Sequence, residues 1–211
     1  MKIRVSVDNL ATRLLLEGTD QTRIFGILNR KALEQGDRVV GGLGGGAQIT
    51  PSGRDFLIRK FGTEFCDDPF EARFVIEEEH MEEVLTFFEH RDPEMFEIDA
   101  TREIREELST RELPIQSGPI LTHHEVSLVH TRYFQSARQP LGSSKYRARD
   151  VPGVKTVRLF HVFELRVQKE QWSKILSSPV IYVFSFEELA ELRAGKEVVK
   201  PDGTRMGDNI F

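Results

Sequence analysis

The 211-residue chain has one cysteine, Cys66, one tryptophan, Trp172, and no apolar run of membrane-spanning length. A lone cysteine excludes a disulfide framework and a cysteine-based metal centre. The missing apolar run excludes a transmembrane helix, so no membrane association is expected. Met1-Lys2-Ile3-Arg4-Val5 lacks the apolar core of a signal peptide, which makes a reducing cytoplasm the expected compartment. Basic charge is also short. With 29 Lys and Arg against 34 Asp and Glu, the net charge is −5, which argues against a general nucleic-acid or membrane-surface binder. Internal repeats and low-complexity segments are absent too.

What remains is an ordinary globular composition, 39% hydrophobic and 30% charged, enough for a single domain over residues 1–211. Lys2 to Val7 alternates as a half-buried strand does, and Arg23-Ile24-Phe25-Gly26-Ile27-Leu28 reads as a second strand. Asn29 to Asp37 reads as a turn or linker. Val39-Val40 runs into Gly41-Gly42-Leu43-Gly44-Gly45-Gly46, read as a tight turn where backbone passes closely, and Ala47 to Thr50 is strand-like. Pro51-Ser52-Gly53 breaks the pattern. A strand around Ala72–Ile76, a helix from about Glu79 to His90 and a helix start at Asp92-Pro93 follow. Two later strands, Glu125–Phe134 and Lys155–Val167, precede a last strand, Pro179–Phe184, and a short helix, Phe186–Arg193. The tail from about 195 is polar and is expected to wrap the surface or to be loose. This order suits an α+β fold, a mixed sheet with helices packed on it.

The chemistry-bearing stretch is Arg102-Glu103-Ile104-Arg105-Glu106-Glu107. On a helix, Glu103, Glu106 and Glu107 share one face, where like charges oppose each other. A hard divalent cation held by oxygen ligands would relieve that repulsion. Ala100, Ile104 and Leu108 supply a buried stripe at four-residue spacing.

Glu94 stands eight residues before Arg102. Together with the hexad it resembles the catalytic helix of the Nudix hydrolases, G-x5-E-x7-R-E-[apolar]-x-E-E-x-G-[apolar]. Ile181-Tyr182-Val183-Phe184 leading into Ser185-Phe186-Glu187-Glu188-Leu189 is similar to the strand and helix that end that fold. Two positions depart: Phe88 and Ser109 stand where the pattern has glycines. The divergent box also looks similar to the Nudix domains associated with bacterial nucleotide-signalling defence systems.

The resemblance implies an α/β/α sandwich with an inserted segment, about 51–93, before the catalytic helix. Gly41-Gly42 would be the family's glycine pair, displaced by that insertion, and the inserted residues are a candidate interface for a homodimer. By resemblance Glu103, Glu106 and Glu107 are the catalytic metal ligands for Mg2+ or Mn2+. Glu94 and Arg102 brace the helix, and the reaction is hydrolysis of a nucleoside diphosphate linked to another group. A late-loop carboxylate, Glu170, is the candidate fourth ligand, with Glu187 and Glu188 as rivals better explained by helix capping.

Substrate contacts are expected from Gly41, Gly42 and the basic, aromatic loop Arg132–Arg149, through Arg132, Arg138, Lys145 and Arg147, a loop that reads equally as a solvated one carrying charge for solubility. Adjacent His123-His124 point to opposite faces of a strand, and with His130 they find no third zinc ligand. Cys66 has no histidine partner readable from sequence, so a thiol nucleophile is not expected. Trp172 and Phe87-Phe88 read as core or interface. The alternatives to an enzyme are a non-catalytic Nudix-like module that senses a nucleotide or binds a protein, and a purely structural acidic helix.

Overall fold

The computed structural model describes residues 1–66, 68–98, 100–109, 124–136 and 155–210. Its organising element is β1 (Lys2–Leu16), a strand twice as long as its opening alternation suggests. One edge of β1 pairs in parallel with β8 (Lys155–Val167), from Ile3 to Leu16. The opposite edge is shared in series by three antiparallel partners. β6 (Arg73–Glu77) takes residues 2–6, β4 (Leu43–Gly46) takes 8–11 and β2 (Thr22–Leu28) takes 13–15.

A bulge explains the length. Ala11 pairs with Phe163 and Arg13 with Glu164, so Thr12 is an extra residue that resets the alternation. Ala11 and Leu14 therefore face the same core although they are three residues apart.

The rest of the sheet grows outward. β7 (His124–Ser136) pairs antiparallel with β8, and β9 (Ile181–Phe184) pairs antiparallel with β2. β3 (Val39–Gly41) joins β2, and β10 (Arg205–Met206) joins β3 in parallel. β5 (Glu64–Phe65) closes the far edge on β6. Parallel and antiparallel pairs coexist, so the expected mixed sheet and α+β class are what the chain adopts.

Helices cover both faces. α4 (Thr101–Ser109) and α5 (Lys169–Leu176) share a core with Leu14, Phe25, Phe163 and Leu165. α6 (Phe186–Arg193) covers the other face of β2, with Leu189 and Leu192 against a core of Ile24, Leu28, Val40 and Phe184. α2 (Pro51–Phe61) and α3 (Met81–Glu89) pack on Ile3, Val5 and Val7 through a cluster of phenylalanines. Among the described residues no helix is long and apolar enough to cross a membrane.

Several local expectations change. Asn29 accepts from the Ala32 N–H at 3.0 Å and caps a short helix, α1 (Arg30–Glu34), inside the supposed turn. Pro51-Ser52-Gly53 opens α2: Thr50 caps Gly53 at 3.1 Å, Pro51 needs no donor, and Gly62 at φ 62° ends it. Residues 51–93 are woven into the sheet through β6 and supply much of the phenylalanine core. The tail is not loose. Val198, Met206 and Ile210 are buried with Val40 and Phe184, because β10 docks on β3.

Candidate functional site

The glycine run forms strand rather than turn. Gly44, Gly45 and Gly46 pair with Leu10, Asn9 and Asp8 of β1, and α4 packs directly across β4. Side chains would block both contacts. Gly44 has φ 138°, and a Cβ there would lie 2.1 Å from the Asn9 carbonyl oxygen. A Cβ on Gly45 would come within 3.0 Å of the Glu103 carboxylate. The run is a backbone shelf on which carboxylates rest.

α4 turns its stripe of Ala100, Ile104 and Leu108 into the core, all at 2% exposure or less. That places Glu103 and Glu107, one turn apart, against the shelf. Glu107 accepts from the Gly44 N–H at 3.0 Å. Its burial, reinforced by repulsion from Glu103 and Glu106, pushes its pKa up to about 8 despite that hydrogen bond. Burial also raises the Glu103 carboxyl, against the pull of Arg102.

Arg102 is a cation held among these acids. It donates to Glu97 through two nitrogens, at 3.0 and 3.1 Å, contacts Glu103 at 2.6 Å and Glu106 at 3.1 Å, and reaches the Gly46 carbonyl at 3.3 Å. Burial alone would lower its pKa, but Glu97 and Glu103 outweigh that and keep it charged. The fork to Glu97 is bidentate, the geometry that suits guanidinium best.

The brace is therefore Glu97, not Glu94. The expectation for Glu94 came from its place eight residues before Arg102 in the family pattern; the helix expected from Asp92-Pro93 begins only at Thr101. Asp92 instead caps a turn, accepting from the Glu94 N–H at 2.9 Å, and Glu94 points to solvent. Glu97 lies on an extended stretch tied to Gln48 backbone at 2.8 Å, within reach of Arg102.

Behind Glu97 stands a buried relay that sequence reading missed. The Asn9 side chain donates to the Glu97 carbonyl at 3.0 Å, and its oxygen meets His161 Nδ1 at 3.0 Å. An amide oxygen only accepts, so Nδ1 carries the proton. Burial and nearby Arg91 lower the His161 pKa to about 4, so the ring stays neutral. Among the described residues its Nε2 has no hydrogen-bond partner. A polar Asp8-Asn9 pair inside an apolar strand was the available signal, and register alone could not say what it would meet.

The other predicted residues fall elsewhere. Glu170 is not in a loop: it lies in the first turn of α5 and pairs with Lys174 at 2.7 Å, which lowers its pKa and leaves it facing solvent. Glu188 belongs to a capping box with Ser185 and pairs with Lys200 at 2.7 Å. Gly41 and Gly42 meet Asn209 of the tail, and the Gly42 N–H donates to its side-chain oxygen at 3.3 Å, so the glycines that approach the carboxylates are Gly44–Gly46. Phe88, the first glycine-to-phenylalanine departure, is fully buried between Phe74 and Phe96. Arg132 lies on β7 opposite Phe160. Arg138, Lys145 and Arg147 lie outside the described residues, as does His123.

Chemically the cradle offers hard oxygen donors with little positive charge to balance them. Glu103 and Glu107 lie together on the shelf; Glu106 is turned to Arg102. Among the described residues no three acidic, histidine or cysteine side chains converge as a ready ion site.

No curated protein and no solved structure matches the chain. A family model does, over residues 37–178, well over half of its length, and its description is "SMODS-associated NUDIX domain". The match takes in the glycine shelf, α4, β7, β8 and α5. This chain belongs to the SMODS-associated NUDIX domain family.

Proposed function

We propose that the chain is a Mg2+- or Mn2+-dependent Nudix-type hydrolase that cleaves the phosphoanhydride of a nucleoside diphosphate linked to another group. The observation that supports it best is the shelf of Gly44–Gly46 under Glu103 and Glu107. Two carboxyls pushed toward protonation by burial and by neighbouring glutamates suit a hard divalent cation, which takes the proton's place.

Glu103 and Glu107 would hold the metal, with Glu106 joining them on leaving Arg102. Bound there, it would neutralise charge growing on the phosphate oxygens and make a water more acidic. Glu107 would give up its proton on loading, its carboxylate fixed by the Gly44 N–H. Arg102, gripped by Glu97, holds Glu103 in its orientation and stays charged throughout. A carboxylate left off the cation would accept the proton of the attacking water. A nucleotide-type substrate and a cytoplasmic setting go with this reading.

The second reading, a non-catalytic module that senses a nucleotide or binds a protein, draws on the Glu106–Arg102 ion pair at 3.1 Å and on Phe88 and Ser109 in place of glycines. The deciding experiment is hydrolysis of a panel of dinucleotides and nucleotide sugars with Mg2+ or Mn2+. Wild type should turn over at least one compound, and Glu106→Gln and Glu107→Gln should lose activity while remaining folded. No turnover, combined with a nucleotide-dependent rise in melting temperature, would transfer the case to the sensing module.

A further inference from the structure

The glycine strand does not end at the carboxylates. Three residues beyond Gly45, roughly 10 Å along an extended chain, Gln48 enters a cleft of about 440 Å3 lined by Gln48, Thr50, Phe70, Pro93, Phe96 and Glu97 among others. That volume lies in the range of small-ligand sites. Its walls are tied together: the Thr50 N–H donates to the Met95 carbonyl at 3.0 Å, and its hydroxyl donates to the Glu94 carbonyl at 2.6 Å. Gly53 lets α2 close on the same segment, since a Cβ there would lie 2.0 Å from the Met95 oxygen.

Phe70 is the unusual member. It is 40% exposed, while most other phenylalanines are in the core. The Arg54 guanidinium sits 5.8 Å from its ring centroid, an arrangement that steadies an aromatic surface at the cleft. Gln48 is exposed and brings both a donor and an acceptor. Glu97 belongs to the cleft and to the Arg102 brace at once, so the cleft and the carboxylate shelf are adjoining parts of one surface.

We propose that this cleft is the nucleobase subsite: a base stacks on Phe70 and hydrogen-bonds to Gln48, while its phosphate lies at Gly45 and Glu103. The inference rests on the hydrolase reading for the position of the phosphate, and Glu97, which lines the cleft and grips Arg102, joins the base site to the shelf. A flat aromatic group fits an aromatic wall with few fixed polar contacts, and stacking of this kind tolerates any base.

The test measures binding by calorimetry, with Mg2+, of adenosine, guanosine, cytidine and uridine 5′-monophosphates and of ribose 5-phosphate to the full chain. At least one nucleotide should bind ten-fold or more tightly than ribose 5-phosphate, the order expected of one base stack. Phe70→Ala should erase that difference, and Phe70→Tyr should keep it and melt close to wild type because the ring is 40% exposed. Equal binding of ribose 5-phosphate and every nucleotide would overturn the subsite, as would an unchanged preference in Phe70→Ala or no binding of any probe. Base-dependent binding without turnover of the dinucleotide panel would leave the subsite standing and sink the hydrolase. Turnover by a protein that binds ribose 5-phosphate as tightly as every nucleotide would do the reverse.

Discussion

The two halves of β1 carry the same kind of load in opposite ways. Its first half, Ile3, Val5 and Val7, lies under α2 and α3 and a closed cluster in which Phe88 stacks on Phe74 and meets Phe96 edge-on at 4.8 Å between ring centroids. Its second half lies under α4, which packs Ile104 and Leu108 inward yet, with Glu97 just before it, sets three carboxylates around one guanidinium at the margin and a fourth, Glu107, on the Gly44 N–H. Both are helices seated on one strand. The difference is that the first half is filled by rings and the second is floored by glycine. Backbone without side chains leaves room for charge at a depth where side chains would have excluded it, and the cost of burying that charge is what raises the Glu103 and Glu107 pKa values.

The sharpest break of this comparison is in the closed half. Phe88→Ala removes a fully buried ring whose neighbours are themselves aromatic, so the site should collapse poorly. A loss of about 3–5 kcal/mol is expected, which corresponds to a fall in melting temperature on the order of 10 °C for a chain of this size. Phe88→Gly, which restores the family's pattern at that position, should do at least as much harm. A variant of either kind that melts like wild type would show that the ring is not core and that the two halves are less different than their packing says.

In the open half the effects should be smaller and directed at chemistry. Glu97→Gln breaks the bidentate grip on Arg102 and should weaken Mn2+ binding, read by electron paramagnetic resonance, on the order of 10- to 100-fold, the usual range for a residue that orients a ligand. Glu94→Gln should leave binding within two-fold, since Glu94 faces solvent. The opposite ranking would return the brace to Glu94 and require α4 to start earlier than Thr101.

Much of this contrast could be read from sequence, for reasons that are local. Ala100, Ile104 and Leu108 specify a helix face by spacing alone, and the three glutamates follow on its other side. Ile181–Phe184 and Phe186–Arg193 likewise declare a strand and a capped helix. Other parts depended on partners far along the chain. Asp8-Asn9 looked like the end of the first strand, but Arg73 at 3.6 Å and the Glu97 carbonyl at 3.0 Å satisfy them inside it. The glycine run has every local mark of a turn and becomes a strand because β1 pairs with it, with no room for a Cβ at Gly44 beside the Asn9 carbonyl. Asp92-Pro93 carries a sound helix-start signal, yet Asp92 spends its cap on a single turn, and the brace moved with the true start of α4. The tail's apolar residues, Val198, Met206 and Ile210, are too widely spaced to declare a core until β10 docks.

The smallest effect is read by pH, because Glu107 and His161 are both shifted by burial and shift oppositely. Glu107 rises from 4.5 to about 8, so its proton favours the fold: stability is full below pH 4.5 and is lost as pH climbs toward 8. His161 falls from 6.5 to about 4, so the neutral ring favours the fold: stability is full above pH 6.5 and is lost as pH drops toward 4. Each limb should move the melting temperature by several degrees, as expected of about 1–3 kcal/mol in a chain this long. Glu107→Gln should raise the melting temperature of the metal-free protein at pH 8 and leave it unchanged at pH 4. His161→Gln, which keeps an N–H for Asn9, should flatten only the acidic limb. Mg2+ should stabilise wild type more at pH 8 than at pH 5, because at the lower pH the cation must displace a proton from Glu107 against a higher proton concentration. Parallel curves for wild type and Glu107→Gln across this range would mean that the carboxylate is not buried on the glycine shelf, and the contrast between the two halves of β1 would lose its electrostatic basis.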